Sequence, residues 1–113
     1  MTIKETALAA AGILDDRKAI DIAVLEVTDL TTLADYFIIA TGTSTTHVGA
    51  LADELEFSMK GKGITPHHVE GHRAGGWVLL DYRDVIIHVF TKEAREFYSL
   101  ERLWGDAVVV KRT

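Results

Sequence analysis

Two short apolar runs, "DIAVLEV" at 21–27 and "DYFIIAT" at 35–41, constrain this chain more than anything else in it. Both are rich in β-branched and aromatic residues, and both are bounded by Asp and Thr clusters or by glycine. Segments of that length and composition read as buried strands, since an extended chain with so few polar residues has little to give to water. Around them the pattern changes to helical spacing. Residues 3–16, "IKETALAAAGILDD", set Ile3, Ala7, Ala10, Ala11 and Leu14 on one face, with Gly12 costing about 1 kcal/mol against alanine. After Gly42, "TSTTHV" offers several N-caps, and Val48, Leu51, Ala52, Leu55 and Met59 recur at helical spacing until Gly61 and Gly63 end the run. Phe57 falls off that stripe and is expected to be a single exposed ring. The chain thus mixes strands with helices.

A length of 113 residues with 48% apolar content supplies one core, so a single domain over 1–113 is expected. The net charge of −5 argues against direct binding to DNA or RNA, where affinity comes from Lys and Arg displacing counterions. A basic protein is the better partner for such a surface. Cysteine is absent, which removes disulfides and thiolate metal sites and fits a reducing compartment. No apolar run approaches the roughly 20 residues of a membrane span, and the N-terminus lacks the layout of a signal peptide. A cytoplasmic protein without a membrane partner is therefore expected. Residues 61–76 are the least regular and hold "PHHVEGHRAGG", with a short strand at His68–Glu70.

The stretch "WVLLDYRDVIIHVF" reads as a hairpin. With Tyr82 and Arg83 as the two loop residues, Asp81 opposes Asp84, Leu79 opposes Ile86 and Trp77 opposes His88. Val78, Leu80, Val85, Ile87 and Val89 then share a wholly apolar face that must be core. The other face mixes Trp77, Leu79, Ile86 and His88 with the two carboxylates, a combination suited to docking on a basic protein. A plainer reading stands beside it, with Asp81 and Asp84 as turn residues and Trp77 as a core ring under a helix. The last helix, capped by Thr91, aligns Phe97, Leu100 and Trp104 on a stripe expected to face the core, with Glu93, Glu96 and Glu101 on a solvated face.

Signals for catalysis are thin. The loop Gly42–Thr46 follows a strand and opens a helix, so a phosphate cradle there is physically sensible. Nucleotidyl transfer would also need clustered carboxylates for metal ions, and only Asp81 and Asp84 lie near one another. His67, His68, His72 and His88 lack metal-ligand spacing, and "GTSTT" does not form a nucleophile elbow. No catalytic, cofactor or metal residue is assigned.

The segments "DLTTLADYFIIATGTSTTHVGALADEL", "VEG", "GWVLLDYRDVIIHVF" and "REFYSLERLW" with "DA" resemble the Iojap and ribosomal silencing factor family, in the same order along about the whole domain. The resemblance implies an α/β fold, a mixed β-sheet with flanking helices that is nucleotidyltransferase-like but lacks the catalytic carboxylates. It implies a non-enzymatic translation repressor that needs no cofactor. Such a protein binds ribosomal protein number fourteen of the large subunit on the intersubunit face, and blocks joining of the small subunit under nutrient limitation. The matching positions imply a contact set of Trp77, Leu79, Asp81, Tyr82 and Asp84, with Glu93, Glu96, Tyr98 and Glu101 around it, and Trp77 and Tyr82 as anchors. Relatives form homodimers, which leaves a homodimer through the same apolar face open here. Many relatives carry glycine at the position of Arg83, a departure that puts the assumed hairpin register in doubt. A nucleotide-binding protein or nucleotidyltransferase-like enzyme built on Gly42–Thr46 is the alternative.

Overall fold

The computed structural model describes residues 1–72 and 76–113. Along the chain come α1 (Ile3–Asp16), β1 (Ile20–Glu26), β2 (Tyr36–Gly42), α2 (Thr45–Gly61), β3 (His68–His72) and β4 (Trp77–Asp81). They are followed by β5 (Val85–Thr91), α3 (Lys92–Tyr98), α4 (Leu100–Leu103) and β6 (Val108–Arg112). The six strands form one sheet in the order β3-β4-β5-β2-β1-β6. Only the β2 and β5 pair is parallel; the other four pairs are antiparallel, so the sheet is mixed as expected.

Helices cover both faces. On one, Ala7, Ala10, Ala11 and Leu14 of α1 and Val48, Leu51, Ala52, Leu55 and Met59 of α2 pack on Ile22, Ile38, Leu80, Ile87 and Val89. On the other, α3 and α4 bring Ala94, Leu100 and Trp104 against Leu25, Phe37, Ile39 and Phe90. Every residue of β2 is buried, the consequence of an apolar run placed centrally between two layers. The first helix starts on a capping box in which Thr2 and Glu5 satisfy one another's backbone N–H groups. Ser44 caps α2 by accepting from the N–H of His47 at 3.1 Å. Phe57, off the α2 stripe, is exposed as expected.

Four expectations need correction. The hairpin closes one residue later than assumed: Trp77 opposes Phe90, Leu79 opposes His88 and Asp81 opposes Ile86. The N–H of Tyr82 donates to the carbonyl of Val85 at 2.9 Å, so Arg83 and Asp84 are the turn and the two carboxylates never face each other. This slip moves both strands by whole pleats, so the sorting of residues between faces survives it. The last helix breaks at Ser99, whose φ of 49° is left-handed, and Phe97 is left exposed while Leu100 and Trp104 enter the core. The third strand runs to His72, two residues beyond the expected Glu70. Finally, "VVVKR" at the end of the chain forms β6, an edge strand that the pattern reading passed over. Arg73, Ala74 and Gly75 of the irregular region, and the side chain of His72, lie outside the described residues.

Arg83 takes the first turn position with φ 72°, a left-handed conformation, and its N–H donates to Oδ1 of Asp81 at 2.7 Å. A left-handed non-glycine residue costs about 1–2 kcal/mol, part of which glycine would return as unfolded-chain entropy. Arg83→Gly is therefore expected to stabilise the fold by about 0.5 kcal/mol, read as a higher urea midpoint at unchanged slope.

Candidate docking face

In β4, Val78 and Leu80 point under α2 and are buried, while Trp77, Leu79 and Asp81 are half-buried on the opposite face. On that opposite face α3 and α4 pack over β5, β2 and β1, and the sheet toward β4 and β3 stays partly open. Pairing places Glu70 beside Leu79 and His68 beside Asp81, so both share the open face. Nε2 of His68 lies 2.7 Å from a carboxylate oxygen of Glu70. The outcome is an apolar strip, Trp77, Leu79 and Ile86, with Asp81 and Glu70 along its outer side.

Aromatic packing holds the strip in place. The Trp77 ring stacks on Phe90 at 5.7 Å with planes 16° apart, and Tyr98 at the end of α3 reaches Trp77 at 4.8 Å. Phe97 meets Tyr98 edge-on at 5.1 Å and extends the aromatic surface outward. Beneath, the N–H of Trp77 donates to Nδ1 of His88 at 3.3 Å. An indole nitrogen only donates, so Nδ1 must be the bare nitrogen of a neutral imidazole whose proton sits on Nε2. Burial alone pushes the His88 pKa down to about 4, in keeping with that neutral form.

Of the expected contact set, Trp77, Leu79, Asp81 and Tyr98 come together here. The others do not. Tyr82 is only 8% exposed and belongs to the core under α1 and α2, because the later turn returns it to the strand on the inner face. Its hydroxyl has no hydrogen-bond partner among the described residues, and burial lifts its pKa to about 12. Asp84 sits in the turn, near Lys62 and Tyr82 on the α1 and α2 side, and its carbonyl accepts from the N–H groups of Asp35 and Tyr36. Glu93, Glu96 and Glu101 line a separate cleft at the end of the sheet. Glu101 is no solvated surface residue either: Arg95 holds it at 2.8 Å and Arg112 at 3.3 Å. These hydrogen bonds lower its pKa. Sequence reasoning missed Glu70 and His68 as members of the open face; alternation within "HVEGH" was the available signal, once the strand was extended through it.

The Gly42–Thr46 loop is built for packing. A Cβ on Gly42 would come within 2.9 Å of the Val48 side chain and 3.0 Å of its backbone nitrogen. The N–H of Thr43 donates to Nδ1 of His47 at 2.9 Å, and Nε2 of the same ring bonds the carbonyl of Arg17. The N–H of His47 goes to the Ser44 hydroxyl and that of Val48 to the Ser44 carbonyl, so the first turn of α2 is capped from within the chain. Among the described residues no group of His, Asp and Glu side chains could hold a metal ion, and no helix is long and apolar enough to cross a membrane.

The family model described as "Ribosomal silencing factor during starvation" matches residues 1–113. The chain belongs to the ribosomal silencing factor family. Membership is borne out by full-length relatives that carry the family's name. The "Ribosomal silencing factor RsfS" of Halalkalibacterium halodurans is 39% identical over 111 residues, covering 98% of this chain and 95% of its own. The protein of the same name from Bacillus subtilis is 41% identical over 107 residues, covering 95% and 91%. A crystal structure of a Chromobacterium violaceum protein superposes with a TM-score of 0.89 at 40% identity, covering 93% of this chain and 88% of that one. The silencing factor fold is thus shared with a solved structure along nearly its full length.

Proposed function

We propose that this chain is a non-enzymatic, cytoplasmic repressor of translation that docks its Trp77 face on a basic protein of the large ribosomal subunit. Ribosomal protein number fourteen at the intersubunit face is the partner implied by the family resemblance. Occupying that place blocks the small subunit from joining. The observation that carries the reading is the half-open strip of Trp77, Leu79 and Ile86 with Asp81 and Glu70 beside it, on a chain of net charge −5. An apolar centre gives affinity and acids set the partner's sign. Trp77 is the anchor, with Leu79, Asp81 and Tyr98 around it. A homodimer through this face would compete with the ribosome. The enzyme alternative on Gly42–Thr46 is disfavoured by the packing of Gly42 on Val48 and by the capture of the Thr43 N–H by His47.

The test is co-sedimentation with isolated large and small subunits at physiological salt, using the wild type, Trp77→Ala and Asp81→Lys, with folding checked by circular dichroism. Binding to the large subunit alone is expected, weakened by roughly 2 kcal/mol, about 30-fold, in folded Trp77→Ala. A folded Trp77→Ala protein that sediments like wild type would remove Trp77 as the anchor.

A further inference from the structure

β2 and β5 lie side by side and parallel, yet the chain leaves their carboxyl ends toward opposite faces, from β2 to α2 and from β5 to α3. Where neighbouring parallel strands send their connections apart, a crevice opens beyond the strand ends, and open α/β sheets hold ligands there. In this protein that crevice is a cleft of about 810 Å³, reaching from Thr41 and Thr43 across to Lys92 and Glu96 of α3. Small-molecule sites span roughly 300–1,000 Å³.

The walls are fixed from within. The Arg95 side chain, 12% exposed, donates to the Asp21 carbonyl at 2.6 Å and to the Thr41 hydroxyl at 2.8 Å, and pairs with Glu101. Its charge is thereby spent on structure. Lys92 and Arg102 also line the cleft, are exposed, and make no ion pair among the described residues. Glu93 and Glu96 line it too and are likewise unpaired, and they form no metal-holding group. The cleft thus presents free cations and free carboxylates on a rigid frame. A plain anion would meet the cations and be repelled by the acids. A ligand that suits both has phosphate at one end and N–H or O–H donors at the other.

We propose that this cleft binds a nucleotide, with its phosphates on Lys92 and Arg102 and its base amino or ribose hydroxyl groups on Glu93 and Glu96. The phosphates are held by side chains and not by the Gly42–Thr46 loop, whose Thr43 N–H is taken by His47. The residues that line the cleft include none of Trp77, Leu79, Asp81 and Tyr98, so this site is distinct from the Trp77 face and does not depend on the docking role.

Nuclear magnetic resonance titrations of the whole chain with ATP, GTP and, separately, tripolyphosphate test the assignment. At least one nucleotide is expected to give saturable amide shifts confined to residues 41–43, 92–96 and 102, and to bind more tightly than tripolyphosphate. The Lys92→Ala/Arg102→Ala double variant, altered only at exposed side chains, is expected to bind that nucleotide about tenfold or more weakly, as loss of two charge-assisted contacts requires. No saturable shift at millimolar nucleotide, shifts centred elsewhere, unchanged affinity in the double variant, or equal binding of tripolyphosphate would each overturn it.

Discussion

Arg95→Ala is expected to destabilise the fold by about 3 kcal/mol, the lower range for removing one partner of a buried ion pair. The guanidinium joins four elements: it pairs with Glu101 of α4 at 2.8 Å, bonds Thr41 of β2, and bonds the backbone of Asp21 in β1 from its own place in α3. Glu101 in turn reaches Arg112 of β6 at 3.3 Å. Alanine would strip the Thr41 hydroxyl and the Asp21 carbonyl of a donor and leave Glu101 with Arg112 alone. The Glu101 side chain is 34% exposed, so water limits the loss. Lysine should recover only part of the stability, because a single ammonium does not reproduce the three directed bonds of the guanidinium. Urea unfolding of the wild type, Arg95→Ala and Arg95→Lys measures the series; an alanine variant within 1 kcal/mol of wild type would mean the network contributes little.

The second large effect is a pH dependence owed to His88. Its folded pKa of about 4 lies below the ordinary 6.5 because burial disfavours the imidazolium. Between those two values the unfolded chain binds more protons than the native one, so stability rises with pH through the window and is complete above it. Lowering the pH from 7 to 4 should cost about 3 kcal/mol from this group alone, at 1.36 kcal/mol per unit. Protonation at Nδ1 would also end the bond from the Trp77 indole and disturb the strip that Trp77 anchors. His88→Phe keeps an aromatic ring of similar reach and should flatten the profile between pH 4 and 6.5. Equal slopes for both proteins across that window would place the pH sensitivity elsewhere.

Period-two and helical patterns made most of the fold legible in the sequence. The buried runs follow from apolar composition, the α1 and α2 stripes from helical spacing and the two faces of the hairpin from alternation, all of them local properties. What failed depended on single backbone conformations. Arg83 and Ser99 adopt left-handed angles without being glycine, so neither the hairpin closure nor the helix break carried its usual marker. The β6 strand was passed over because three valines at the end of a chain have no alternation to read; they become a strand by pairing with β1. Of the site, the half-open face could be inferred from Trp77 and Leu79. The fate of Tyr82 and Glu101 could not, since burial of one and pairing of the other arise from contacts distant in sequence.

The most direct test of the docking account is a photo-activatable residue placed at Leu79, with a second version at exposed Phe57 on α2 as the control. Each full-length protein would be irradiated with isolated large subunits, and the crosslinked partner identified by mass spectrometry. The account predicts one dominant product from position 79, ribosomal protein number fourteen, and little or none from position 57. Crosslinks from position 79 to another ribosomal protein or to RNA, or equal yields from both positions, would contradict it.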